Sequence, residues 1–281
     1  MTHPRTTRRP ALVVAALIAL GAGACTGSPA LPTAPSSVLS RGAVPQLGAP
    51  AADPLPGPTA LGATRFMAFG DSITFGTVSS FDGAFLFDTV PGTEYPTQLD
   101  NLLEAGFSAQ DFTVDNDGLP GESAVGAVSS GRFAQRMALR RPQAVLLLEG
   151  INDLSGAGTS VGTTVNALSQ MVDVARVYNA TVLIGTMFQT CVSHRPDGTV
   201  RDNASATIPS FNAAIRAMAA GRQNVHVVDI YAAFGNNCGP DGGVGLMGGD
   251  GLHPTPNGYA VMASTFSTAL RTVFAVRGSY Q

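Results

Sequence analysis

Short apolar runs alternate with amphipathic segments from residue 65 onward, and this alternation restricts the fold more than any other feature of the chain. The apolar runs are rich in β-branched residues and nearly continuous in hydrophobicity, as expected of strands buried on both faces of a parallel sheet. They are Arg65–Phe69, Phe112–Asn116, Ala144–Leu148, Thr181–Ile184 and Val225–Val228. The helical segments are Tyr95–Ala105, Ala127–Arg140, Thr163–Tyr178, Ile208–Ala220 and Gly258–Ala275. This order predicts an α/β protein, a three-layer α/β/α sandwich with right-handed crossovers.

The N-terminal residues 1–24 have the pattern of an export signal. Three arginines precede the apolar run 11–20, which is too short to remain as a membrane span. Two processing routes are open: lipidation of Cys25, at a site that resembles a bacterial lipobox, or ordinary cleavage after Ala22-Gly23-Ala24. Arg8-Arg9 leaves both the Sec and the twin-arginine routes open. We expect an exported protein, either secreted or anchored in the cell envelope by lipid at Cys25.

Composition separates a tether from one folded domain. Residues 25–62 are rich in proline, glycine and alanine and contain no aromatic residue, so this segment buries too little surface to fold. The first aromatic residue is Phe66, and we expect a single catalytic domain over residues 63–277, most simply a monomer. Only 12% of the residues are charged and the formal net charge is −3, which argues against nucleic acid as a partner.

Polar, glycine-containing motifs follow the predicted strands. The functional residues of a parallel sheet gather where its strands end, so we expect these motifs to meet at one edge of the sheet. They are Gly70-Asp71-Ser72 after the first strand, Gly121-Glu122-Ser123 after the second, Gly150-Ile151-Asn152-Asp153 after the third, and Asp250-Gly251-Leu252-His253 after the fifth.

With these four motifs in this order, the chain resembles the SGNH (GDSL-type) hydrolases over essentially residues 65–275. The signature of that family consists of a GDS serine, a glycine, a G-x-N-D asparagine and a D-x-x-H pair. The resemblance implies a flavodoxin-like parallel sheet of five strands and a serine esterase or lipase activity. The residue two positions after Ser72 is Thr74, so the chain lacks the G-x-S-x-G elbow of the α/β-hydrolases.

The resemblance assigns roles that the chemistry of acyl transfer explains. Ser72 would be the nucleophile, His253 the base that removes its proton, and Asp250 the carboxylate that orients the imidazole. The oxyanion would be bound by the backbone N–H groups of Ser72 and Gly121 and by the side-chain amide of Asn152. Gly121 fits the family pattern better than Gly118, because an acidic residue and a serine follow it.

A metal-dependent alternative uses the same region of the sequence. Asp71, Asn152, Asp250 and His253 include oxygen and nitrogen ligands that a phosphoesterase metal could bind. The chain has only one histidine in a suitable motif and neither an H-x-H nor an H-E-x-x-H pattern. We therefore expect no metal and no cofactor.

Cys191 and Cys238 form an even pair once Cys25 is assigned to the export signal, and disulfides persist in an exported protein. If the fourth and fifth strands are neighbours, both cysteines leave the same edge of the sheet, so a Cys191–Cys238 bridge is reasonable. Two unpaired buried thiols remain the alternative.

A phenylalanine cluster between Phe81 and Phe87 follows the nucleophile motif. It would either form an apolar wall for an acyl chain or pack against the domain without contacting a substrate. The expected partner is a small-molecule or glycan ester, and any membrane contact would be made through lipid at Cys25. Within this class, acyl-ester hydrolysis competes with deacetylation of O-acetylated polysaccharide and with thioester cleavage. A non-catalytic cell-surface binding module is the alternative from another class.

Overall fold

Five parallel strands form the central sheet of the structure, a computed structural model. It describes residues 58–81, 85–156, 158–191, 193–194, 200–201, 204–235 and 245–276. The described strands are β1 (Ala60–Leu61), β2 (Arg65–Gly70), β3 (Thr77–Phe81), β4 (Phe85–Thr89), β5 (Thr113–Gly118), β6 (Ala144–Leu148), β7 (Thr181–Gly185), β8 (Ser193–His194), β9 (Val200–Arg201), β10 (Val225–Val228) and β11 (Ala275–Val276). The described helices are α1 (Ser72–Phe75), α2 (Tyr95–Gly106), α3 (Ala124–Ser129), α4 (Arg132–Arg140), α5 (Ile151–Ser155), α6 (Val161–Val177), α7 (Ile208–Ala219), α8 (Ile230–Phe234) and α9 (Pro256–Phe274).

The strand order in the sheet is β10-β7-β6-β2-β5, and every neighbouring pair is parallel. Helices α2 and α9 pack together on one face of the sheet, and α3, α4, α6 and α7 form the layer on the other. The three-layer α/β/α sandwich with a flavodoxin-like sheet is therefore confirmed. The loops after β2, β5 and β6 meet at one edge because these strands are neighbours in register.

The two outer strands correct the expectation that all five strands are buried on both faces. The central strands β2, β6 and β7 are buried almost throughout, whereas β5 and β10 are largely half-buried or exposed. An edge strand has a neighbour on one side only and is incompletely covered by helices, which explains the polar sequence Thr113–Gly118.

The predicted helix Ala127–Arg140 is two helices. The chain breaks at Ser130-Gly131, where Gly131 takes a left-handed conformation with φ +72° and becomes the N-cap of α4. A residue without a side chain adopts this conformation at no steric cost, which permits the change of direction. The other four predicted helices end within two residues of their observed bounds.

The folded domain begins slightly before the predicted end of the tether at residue 62. Ala60 and Leu61 pair with Val276 and Ala275, and the side chain of Leu61 is buried. Residues 1–57, which hold the predicted signal peptide, Cys25 and most of the tether, lie outside the described residues, so export and lipidation stay predictions. In the part of the chain that the structure describes, no helix is both long and apolar enough to cross a membrane.

Candidate active site

Ser72 begins a short helix directly beyond the central strand β2. Gly70 ends the strand at a point where a Cβ atom would lie 2.2 Å from the carbonyl oxygen of Leu148, so only glycine fits. The Asp71 side chain then accepts a hydrogen bond of 2.8 Å from the N–H of Ile73 and caps α1. Because Ser72 is the first residue of α1, its own N–H has no acceptor within the helix. The hydroxyl group and this N–H group of Ser72 therefore lie side by side at the end of the strand.

His253 lies beside Ser72, although 181 residues separate them in sequence. The distance from Ser72 Oγ to His253 Nε2 is 2.9 Å, and the distance from His253 Nδ1 to Asp250 Oδ2 is 2.7 Å. Asp250 Oδ1 also accepts from the backbone N–H groups of Leu252 (3.1 Å) and His253 (3.0 Å). Gly251, at φ +67°, packs against the backbone of Cys191 so closely that a Cβ would lie 2.6 Å from its carbonyl oxygen. One tight turn thus holds the carboxylate and the imidazole together.

The charge of Asp250 determines which imidazole nitrogen carries the proton. Burial alone would raise the pKa of Asp250, but hydrogen bonds from His253 and attraction to it outweigh burial and lower this pKa to about 2. An ionised carboxylate only accepts hydrogen bonds, so Nδ1 of His253 is the donor to it. In the neutral imidazole, Nε2 is then the acceptor and faces the Ser72 hydroxyl. This is the arrangement that a general base requires.

Two further polar groups reach the same edge from the loops after β5 and β6. Gly121, at φ +80°, forms part of the turn in which the N–H of Glu122 donates to Leu119. Asn152, in α5, donates from its side-chain amide to the carbonyl oxygen of Glu122 at 2.7 Å. An amide nitrogen has two N–H groups, so a second donor remains available at Asn152.

Ser72, Gly121, Asn152 and His253 all line one open cleft of about 450 Å³. Gly118 does not line it; its N–H donates to Asn116, and its backbone packs against Phe75. A second groove of about 680 Å³ lies at the opposite ends of β7 and β10 and contains none of these residues. The structure therefore brings the predicted nucleophile, base, acid and oxyanion donors together in one place.

The sequence matches the model of the GDSL-like lipase/acylhydrolase family over residues 68–261, which is more than half of the chain. The chain belongs to this family. No curated protein matches the chain.

Solved structures of GDSL-type and related esterases share the fold. A lipase/acylhydrolase from Enterococcus faecalis is 20% identical, with a TM-score of 0.58 over 76% of this chain and 100% of that one. A carbohydrate acetylesterase from Sinorhizobium meliloti is 14% identical, with a TM-score of 0.62 over 75% and 100%. A family 3 carbohydrate esterase from Clostridium thermocellum is 20% identical, with a TM-score of 0.53 over 75% and 98%. At these identities the likeness establishes the fold, and the family establishes ester hydrolysis as the general activity.

In this GDSL-type chain, an antiparallel pair of strands, β3 and β4, follows helix α1 and contacts the D-x-x-H turn. The Ser79 hydroxyl donates to Asp250 Oδ1 at 2.7 Å. The ring of Phe87 meets the His253 imidazole edge-on, with centroids 5.5 Å apart. Ser79 could not be predicted from the sequence, since 171 residues separate it from Asp250 and no local pattern distinguishes it from other strand serines.

Two buried carboxyl groups lie close to Ser72 at the ends of β2 and β6. Asp71 and Glu149 directly follow Gly70 and Leu148, the last registered pair of β2 and β6, and are 0% and 2% exposed. Asp71 Oδ2 and Glu149 Oε1 have no hydrogen-bond partner among the described residues. Burial raises the pKa of Asp71 from 3.8 to about 7; burial and the charge of Asp71 raise the pKa of Glu149 well above its ordinary value. The site therefore retains protons that exposed carboxyl groups would lose.

We expect the stability of the protein to decrease as the pH rises from about 4 to about 7, through the contribution of Asp71. The folded state binds this proton more tightly than the unfolded state, so stability present at low pH is lost as pH rises towards the folded pKa of about 7. Asp71→Asn keeps an oxygen that can accept from Ile73 but removes the titration. Thermal unfolding across this pH range should therefore show a gain of Tm, relative to wild type, that increases with pH.

Asp111→Asn is the matched control, because this aspartate is exposed. Its Tm difference from wild type should stay constant over the same range. A pH-independent Tm difference for Asp71→Asn would show that the buried carboxyl group does not titrate in this window.

Two further residues of the predicted motifs and disulfide, Asp153 and Cys191, are described by the structure. Asp153 accepts from the N–H groups of Ala124 (2.7 Å) and Val125 (3.1 Å), a brace for α3. Cys191 is half-buried, and its N–H donates to Gly251 O at 2.7 Å. Cys238 lies outside the described residues, as does Cys25, so the Cys191–Cys238 disulfide and the lipid site stay predictions.

Proposed function

We propose that the protein is an exported serine hydrolase that cleaves carboxylic esters through an acyl-enzyme. The observation that carries this proposal is the continuous series of contacts from Asp250 through His253 to Ser72, 2.7 Å and 2.9 Å long, in a cleft that also holds three candidate oxyanion donors. Export is proposed from the N-terminal sequence pattern alone. The mechanism requires no metal and no cofactor.

Acylation begins when Ser72 Oγ attacks the carbonyl carbon of the ester. As the new C–O bond forms, the hydroxyl proton passes to His253 Nε2, and the carbonyl oxygen becomes an oxyanion. The imidazolium is stabilised by the Asp250 carboxylate. The oxyanion is bound by the N–H groups of Ser72 and Gly121 and by the free N–H of the Asn152 amide. Cleavage of the ester C–O bond then releases the alcohol, which takes its proton from His253.

Deacylation repeats these steps with water as the nucleophile. His253 takes a proton from water while the oxygen attacks the acyl carbonyl of Ser72. The second tetrahedral intermediate breaks the bond to Ser72 Oγ, which recovers its proton from His253, and the carboxylic acid leaves. The same donors serve both intermediates, because the carbonyl oxygen occupies the same place in each.

Two measurements on the wild-type protein test this proposal. Hydrolysis is measured on acetyl, butyryl and octanoyl nitrophenyl esters and on acetylated xylan. A fluorophosphonate probe is then added, and its covalent adduct is mapped by peptide mass spectrometry. We expect ester turnover and modification at Ser72. The proposal would be overturned if none of these esters were hydrolysed, or if the probe abolished activity by modifying another serine.

The rim of the cleft favours esters of longer acyl chains over acetyl esters as substrates. Phe75 and Phe87 line the cleft and are 43% and 53% exposed. An extended acyl chain would remove these apolar surfaces from water, whereas an acetyl group would leave most of them exposed. The alternative, deacetylation of O-acetylated polysaccharide, is supported by the carbohydrate esterases among the solved structures of the same fold.

Phe87→Ala is expected to lower kcat/KM on an octanoyl ester about tenfold more than on an acetyl ester, since each buried methylene contributes about 0.8 kcal/mol. Phe87 is the phenylalanine of the Phe81–Phe87 cluster chosen for this test, because the structure does not describe the side chains of Phe81 and Phe85. The ratio of the two substrates cancels any effect of Phe87 on His253. Leu139→Ala, at an exposed leucine of α4, is the control. Equal losses on both esters would contradict a role of Phe87 in binding the longer acyl chain.

A further inference from the structure

Arg132 is the first residue of α4, and the helix break at Gly131 is what directs it towards the active site. Its Nε donates to both carboxylate oxygens of Glu122, at 2.6 and 2.8 Å, and Nη2 also contacts this carboxylate. Nη1 donates to the carbonyl oxygen of Asp117 at 3.1 Å, and Nη2 to that of Gly70 at 3.3 Å. The guanidinium also stacks on the ring of Phe69, 4.2 Å from its centroid.

These contacts are buried and specific. The side chains of Arg132 and Glu122 are 15% and 6% exposed, so water screens their interaction only weakly. A guanidinium has five N–H groups in a rigid plane, and no other cationic side chain can reproduce this set of bonds. Arg136 in the same helix provides a comparison: it pairs with the Asp117 carboxylate at 3.4 Å and is 38% exposed.

The partners of Arg132 are the segments that carry the oxyanion donors. Gly70 lies two residues before Ser72, and Glu122 directly follows Gly121. The backbone carbonyl of Glu122 in turn accepts the hydrogen bond from the Asn152 amide at 2.7 Å. One guanidinium therefore links the end of β2, which leads to Ser72, with the end of β5 and with the Gly121-Glu122 loop, to which Asn152 is hydrogen-bonded. Arg132 itself does not line the cleft.

We propose that Arg132 is a positioning residue that holds the oxyanion hole in its working geometry through Glu122. This inference rests on the proposed esterase function. Preorganised donors stabilise the transition state because they need not reorient as charge develops. If Glu122 moves, Gly121 and Asn152 lose their alignment with the oxyanion, while the ground-state ester, which interacts weakly with these donors, is bound as before. The effect should therefore fall on kcat and leave KM nearly unchanged.

Arg132→Lys tests this role, with Arg136→Met as the matched control in the same helix. We expect Arg132→Lys to lower kcat about 10- to 100-fold, below the 10²- to 10³-fold typical of deleting a donor outright. KM should stay within about twofold, and a boronic acid that mimics the tetrahedral intermediate should bind more weakly by the same factor as kcat. Arg136→Met should retain the wild-type kcat. Tm is measured for each variant, and activities are compared well below it.

A double-mutant cycle separates positioning from general destabilisation. Because Arg132 acts in part through Asn152, Arg132→Lys should cost a smaller factor in an Asn152→Ala background than in the wild type. Glu122→Gln should reproduce the loss in kcat. If Arg132→Lys does not fold, Glu122→Gln takes its place in the double-mutant cycle with Asn152→Ala.

Several results would overturn the inference: a folded Arg132→Lys with wild-type kcat, a loss matched by Arg136→Met, or factors that simply multiply with Asn152→Ala. A wild-type protein without esterase activity would instead refute the proposed function, so the two failures are distinguishable.

Discussion

Replacing Ser72 by alanine should lower kcat on a nitrophenyl ester by about 10⁶-fold, close to the loss in kcat when the whole Ser-His-Asp triad of a serine hydrolase is removed. The variant lacks the oxygen that forms the acyl-enzyme, so the remaining turnover comes from water positioned in the cleft. The backbone N–H of residue 72 is preserved, and the other oxyanion donors are untouched. Substrate binding, measured by competitive inhibition with a non-hydrolysable amide, should therefore be nearly unchanged.

Ser264→Ala is the matched control, because Ser264 is an exposed serine of α9 with the same change in volume. It should have wild-type activity and Tm. Retention of more than about one hundredth of the activity by a homogeneous Ser72→Ala preparation would mean that another group is the nucleophile. Loss of the fluorophosphonate adduct in the same variant provides an independent readout.

Asp250→Asn is expected to lower kcat by about 10⁴-fold with little change in KM. The carboxylate, ionised because its pKa lies at about 2, accepts from Nδ1 of His253. A carboxamide that keeps the bonds from the N–H groups of Leu252 and His253 directs its NH₂ group towards Nδ1. The imidazole proton is then forced onto Nε2, where it faces Ser72 Oγ, and the base loses its acceptor nitrogen. The stabilisation of the imidazolium in the transition state is lost at the same time.

The control for this change is Asp173→Asn, which removes a carboxylate from an exposed ion pair with Arg222. Its activity should equal that of the wild type. The result that contradicts the assigned role is an Asp250→Asn protein with a wild-type Tm and less than a tenfold loss in kcat. If Asp250→Asn does not fold, two other variants test the same role. Asp250→Glu, which keeps the charge, should retain more activity than Asp250→Ala.

The sequence predicted the elements of the fold where local patterns are strong. Ala144–Leu148 and Val225–Val228 have the predicted bounds, and Tyr95–Gly106 and Ile208–Ala219 differ from prediction by one residue each. The helix break at Gly131 was missed, because a single glycine in an amphipathic segment is compatible with a continuous helix. The break matters for function, since it turns Arg132 towards Glu122.

Supporting residues of the site are harder to predict than the residues of the signature motifs. Ser79 bonds to Asp250 from a hairpin whose length and direction no motif specifies. Glu149 is an acidic residue directly after an otherwise apolar strand, which is a recognisable signal. That it lies near Asp71 becomes evident only once β2 and β6 are paired in register.

The sequence by itself determined what depends on neighbouring residues: the alternation of strands and helices, the capping of α1 by Asp71, and the turn that brings the Asp250 carboxylate to the His253 imidazole three residues later. These features follow from backbone preferences and hydrogen bonds that act over a few positions. The tertiary structure alone decided which strands are central, which helix faces meet, and that Ser72 and His253 come within 2.9 Å. Such contacts depend on strand order and register, which arise when the whole core is buried and which no local pattern encodes.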